Sequence, residues 1–214
     1  MSTTNNQLKL PKLDIKKADY KEALNKLVVI LMLDKKAIAD VATDSKYHFP
    51  ALIFLILGAI AAPLGGMLFG VRALNVVLRI NFSYFLTSSL LMILTSLIAI
   101  YVMAFVAVKL FKGKGDLSNL FAVLGVAMGV RVVEIIGTLI TGLQGLIGIA
   151  ITIWLVAVAY ITLKEQFKLD EGNSILTIIV TAVIVMIAGS IIGSLMGPSL
   201  SYGTLNLGGI SLTY

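Results

Sequence analysis

Five long runs, at about 49–71, 83–108, 117–140, 146–163 and 174–196, are nearly free of charge, and they restrict this chain more than any other feature. A helix rises about 1.5 Å per residue, so roughly 20 apolar residues cross the ~30 Å of hydrocarbon in a bilayer. The expected fold is therefore an all-α membrane protein built as a bundle of five transmembrane helices. Composition agrees: 58% of the 214 residues are hydrophobic and 13% charged. No soluble domain of this size has interior enough to hide that surface, which excludes water-soluble enzyme folds, disordered regulators and secreted disulfide scaffolds. The absence of cysteine removes disulfides and thiolate metal sites. The first run begins too late to be a cleaved signal sequence.

The formal charge of +6 follows topology and does not point to nucleic acid. Nine lysines precede the first run, three (Lys109, Lys112, Lys114) follow the second, and two (Lys164, Lys168) follow the fourth. The alternate links and the tail hold only Arg72 and Arg79. Basic residues gather on the cytoplasmic side, so the N-terminus is expected in the cytoplasm and the C-terminus outside it. Three segments result: a cytoplasmic basic arm and interfacial helix over 1–48, the transmembrane domain over 49–197, and an extracytoplasmic tail over 198–214.

Before the first span, Leu24, Leu27, Val28 and Leu31 recur at helical spacing beside Lys21, Glu22, Asn25 and Lys26. Ten or so apolar residues are too few to span, so an amphipathic helix at the headgroup layer is expected, with Lys21, Lys26, Lys35 and Lys36 meeting anionic lipid or a partner. Ala37, Ile38 and Val41 continue it as a second short helix towards Tyr47 and His48. In the tail, Leu205 and Leu207 precede Gly208-Gly209, and Ile210, Leu212 and Tyr214 follow. This alternation about a glycine pair is a β-hairpin signal, weighed against a loose tail. Gly113-Lys114-Gly115 reads as a tight turn with Asp116 as a helix cap; it lacks the spacing of a phosphate loop.

Arg131 and Glu134 are the charged residues within a span, three apart and so on one helical face. A charge in hydrocarbon costs roughly 3 kcal/mol or more and is kept when paired or facing a wet cavity. The pair reads either as mutual neutralisation that fixes helix packing or as part of a solute or proton path. Small residues form the other pattern. Gly58, Ala62, Gly66 and Gly70 repeat every four residues, and Gly189, Gly193 and Gly197 do so in the fifth run, as faces for close helix packing or a dimer seam. No nucleophile–base set, zinc spacing or redox motif is legible, so no catalytic residue, metal or cofactor is expected. Trp154 reads as a packing residue.

The order of these features resembles the Yip (Ypt-interacting protein) domain family. The likeness runs over about 24–196 and rests on Val28-Val29-Ile30-Leu31-Met32-Leu33 followed by Asp34-Lys35-Lys36-Ala37-Ile38, on Gly113-Lys114-Gly115 ahead of Leu117 to Ala127, on Ile153-Trp154-Leu155, and on the short polar link before the fifth span. The resemblance implies a five-span bundle with a cytosolic N-terminus. In eukaryotic relatives it implies roles in vesicle traffic through contacts with small GTPases and with each other. It brings no catalytic residues. The expectation is a non-enzymatic scaffold or trafficking and organisation factor that binds itself or other membrane proteins, in the cell membrane of a prokaryote or an endomembrane of a eukaryote. The competing expectation is a small transporter or channel subunit built on Arg131 and Glu134.

Overall fold

The computed structural model describes residues 10–73, 76–78, 81–140, 143–196, 205–207 and 210–212. Two short helices, α1 (Tyr20–Ile30) and α2 (Lys35–Thr43), precede the spans. Asp19 caps α1 and Asp34 caps α2, each carboxylate accepting a main-chain N–H three residues on, at 2.9 and 2.7 Å. The break at Asp34 is thus a helix start.

Five helices are long and apolar enough to cross a membrane: 45–69, 82–110, 117–137, 143–166 and 171–192. The first contains α3 (His48–Phe69), which stops two residues short of the sequence boundary because Gly70 turns into the left-handed region at φ 75°. The second is α4 (Phe82–Phe105), extended by one π turn over Val106–Leu110. Asn81 accepts the Tyr84 N–H at 2.7 Å and caps α4. The third span is broken: α5 (Leu117–Met128) passes through a 3-10 stretch, Gly129–Val133, into α6 (Glu134–Gly137). The fourth and fifth are α7 (Leu143–Gln166) and α8 (Glu171–Met196).

Contacts fix the directions. Ala51 of α3 lies against Gly125, Gly58 against Met128, and Gly65 against Thr138, so α3 runs parallel to the third span. Gly137 meets Gln144, while Gly115 meets Phe167, so α7 runs back antiparallel. The chain therefore crosses five times, with α1 and α2 at the proximal end. There the links 111–116 and 167–170 are tied together: the Lys114 N–H donates to the Phe167 carbonyl at 2.8 Å, and a Cβ on Gly115 would stand 2.5 Å from the Phe167 ring.

At the distal end four three-residue strands pair antiparallel in the order β1 (Val71–Ala73), β2 (Val76–Leu78), β3 (Leu205–Leu207), β4 (Ile210–Leu212). Val77 pairs with Asn206 and Leu78 with Leu205, which joins the tail to the first distal link. A lone two-stranded ribbon is marginal; four strands share the ladder.

The third span is the most enclosed and α8 the least. Around α5 gather α3, α7 and the two short helices, with Ala23, Leu27 and Ile30 of α1 and Ala37, Ile38 and Val41 of α2 buried beside Leu120, Val123 and Ala127.

Candidate functional site

The third span carries its charges where its helix is irregular. A 3-10 stretch winds more tightly than an α-helix and marks strain or function when it interrupts a span. Here it holds Arg131, and Glu134 begins the next turn. The Arg131 Nε–H donates to Glu134 Oε1 at 2.8 Å, and Nη2 donates to Oε2 at 3.4 Å. The carboxylate is 4% exposed and the guanidinium side chain 22%. Gly58, opposite this stretch, is the eleventh residue of the 22 in α3, so the pair lies at mid-depth. Two opposite charges held side-on neutralise each other where no water is at hand.

The neighbouring helix makes room for the pair. A Cβ on Gly58 would stand 2.2 Å from the Met128 carbonyl oxygen and 3.4 Å from Arg131 Cβ. Ala51, Gly58 and Gly65 recur every seven residues on this contact line. The sequence pattern ran instead through Gly58, Ala62, Gly66 and Gly70. Of these, Gly58 makes the close approach, Ala62 is half-buried, Gly66 is buried, and Gly70 ends the helix. Sequence reasoning missed Ala51 and Gly65, although a seven-residue spacing is the mark of a helix pair crossing at a shallow angle. Gly189 would meet no atom within 4 Å and packs against nothing in the described part of this chain. Gly193 lies in α8, with surroundings outside the described residues.

The proximal end holds a second polar group of side chains. Glu22 of α1 accepts from the Tyr47 hydroxyl at 2.6 Å and pairs with Lys46 at 2.9 Å. Lys26 pairs with Asp40 of α2 at 2.6 Å, and the Lys46 N–H donates to Asp44 at 3.0 Å. These bonds lock α1, α2 and the start of α3 around a polar recess of about 240 Å³. Lys26, expected at the lipid surface, is thus engaged with Asp40 because α2 folds back beside α1. Lys35 reaches Glu165 at 2.9 Å while remaining exposed; Lys21 and Lys36 are exposed. Trp154 does more than pack: its Nε1–H donates to the Leu31 carbonyl at 3.2 Å, tying α7 to the end of α1.

The three carboxyls of this network are held below their ordinary pKa values: Glu22 chiefly by the Lys46 ammonium, Asp40 by that of Lys26, and Asp44 by the Lys46 main-chain N–H. A depressed folded-state pKa means that folding favours the ionised form. The contribution is complete above the unfolded pKa of about 4 and is lost as the pH falls through the folded value. Protection factors of the α1 and α2 amides, exchange rates relative to the free peptide at the same pH, are therefore expected to stay high from neutral pH to about 5 and to fall only below about 4. A fall between about pH 5 and 7 would show that other groups hold this cap.

Among the described residues no three His, Asp or Glu side chains gather to hold a metal ion. A family model described as the Yip1 domain matches residues 31–193, most of the chain. Neither a curated protein nor a solved structure matches it.

Proposed function

The chain belongs to the Yip1 domain family, and from that premise we propose that this multi-pass membrane protein acts by binding, as a scaffold or as a trafficking and organisation factor assembling with its own copies or with other membrane proteins. The family is not an enzyme family. The N-terminus faces the cytoplasm in this reading, because fourteen basic residues fall in the proximal segments against two in the distal ones. The exposed lysines 21, 35 and 36 then lie at the headgroups of anionic lipid.

One observation carries the reading. Along the distal halves of α7 and α8, Gly145, Gly148 and Gly189 have no atom within 4 Å of where a Cβ would stand, beside exposed Leu146, Ile149 and Ile187. Small residues facing outward let another helix approach closely, the main source of helix association in lipid. They also permit a clean test, since a side chain added there collides with nothing described in the protomer. Gly148→Leu and Gly189→Leu are expected to lower crosslinked oligomer yield in native membranes while leaving the protomer's thermal stability unchanged. Full oligomer yield in both variants would remove this face from the proposal.

A second reading, a transporter or channel subunit, draws support from the position of Arg131 beside an intramembrane cavity. It requires solute flux into liposomes that Glu134→Gln abolishes.

A further inference from the structure

Between α4, α5, α7 and α8 lies a cavity of about 360 Å³. Its wall is apolar, with Ile100 and Met103 of α4, Leu124 of α5, Leu155 and Val156 of α7, and Ile178 of α8. Three hydroxyls join the wall, and each donates to a carbonyl one turn back in its own helix: Thr95 to Leu91 at 2.8 Å, Ser96 to Met92 at 2.7 Å, Thr152 to Gly148 at 2.8 Å. Their hydrogens are used; their oxygens can only accept.

Arg131 differs. A guanidinium has five N–H groups, and Glu134 takes one from Nε and one from Nη2. Arg131 lines the cavity whereas Glu134 does not, and among the described residues Glu134 alone accepts from its guanidinium. Donors without an acceptor are costly in hydrocarbon. The site thus offers hydrogen-bond donors at one point and an apolar wall elsewhere, the usual constitution of a small-molecule site.

We propose that this cavity binds a neutral, lipid-soluble molecule whose carbonyl oxygen accepts from the free edge of Arg131 and whose apolar body lies along Ile100, Leu155 and Ile178. Charge selects neutrality: the Arg131–Glu134 pair sums to zero, and an added carboxylate or phosphate would stand uncompensated at mid-depth. Donor supply selects a carbonyl, which needs donors and contributes none. Size suits a ring or a single chain, since about 360 Å³ lies near the lower end for small-molecule sites. A quinone and a monoacyl ester share this chemistry.

The experiment uses the full-length protein in micelles with two photoactivatable probes, a long-chain methyl ketone and an alkane of equal length bearing the same diazirine. The ketone is expected to label α4 and α7 saturably, the alkane weakly and without saturation. Decylubiquinone and monoolein serve as competitors, and the one that displaces the ketone identifies the source as quinone or ester; displacement by both assigns the carbonyl alone. Ala99→Leu places a larger side chain in the wall and should lower labelling roughly tenfold or more in protein that melts as wild type does. Equal labelling by ketone and alkane on the wild-type protein, competition by oleate alone or by no carbonyl compound, or full labelling of folded Ala99→Leu would each overturn the proposal.

Discussion

Glu134→Leu is expected to destabilise the protein by about 3–5 kcal/mol, because it strands the Arg131 guanidinium at mid-depth without its counter-charge. The carboxylate is buried, and both of its oxygens are engaged by the same side chain, so no second group stands ready to replace it. The double variant Arg131→Met/Glu134→Leu should recover most of the loss, since apolar residues of similar volume remove both charges together. Unfolding in mixed micelles measures both values, and the cycle isolates the coupling. A single-variant loss below about 1 kcal/mol would place the pair in contact with water.

Gly58→Ala should be nearly as damaging, at about 3 kcal/mol, the upper end for overpacking. The added carbon would stand 2.2 Å from a main-chain oxygen, and a backbone cannot rotate aside as a side chain can. Gly145→Ala, with nothing within 4 Å, is the matched control and should be near neutral. Melting temperature in detergent distinguishes the two. Equal melting of both variants would mean that α3 and the third span do not meet at Gly58.

Hydrophobic length alone located the five spans, because crossing a bilayer demands a minimum number of apolar residues whatever their order. The Arg131–Glu134 pair was legible for the same reason, as charge is conspicuous against hydrocarbon. Which face of α3 turns inward was not. In a soluble helix polarity marks the outer side, but lipid and protein interior are equally apolar, and α3 offers several small residues at several spacings. The choice of Gly58 and Gly65 over Gly66 depends on how the helices cross, which is a property of the pair. The hydrogen bond from Trp154 to Leu31 joins residues 123 apart, and Lys26 meets Asp40 only because α2 folds back; neither leaves a local trace. Strands β1 and β2 sit in a short link whose Arg72 and Arg79 drew attention to topology instead of to its valines.

The parallel seating of α3 against the third span also bears on how the chain is made. Synthesis proceeds from the N-terminus, so α3 emerges from the ribosome ahead of Arg131 and Glu134, and α7 and α8 emerge after them. The groove that receives the charged turn, opened by Gly58 and Gly65, is delivered ahead of the charges it shelters. Insertion can thus take up the costliest segment beside a waiting partner, and the later helices close over the other side.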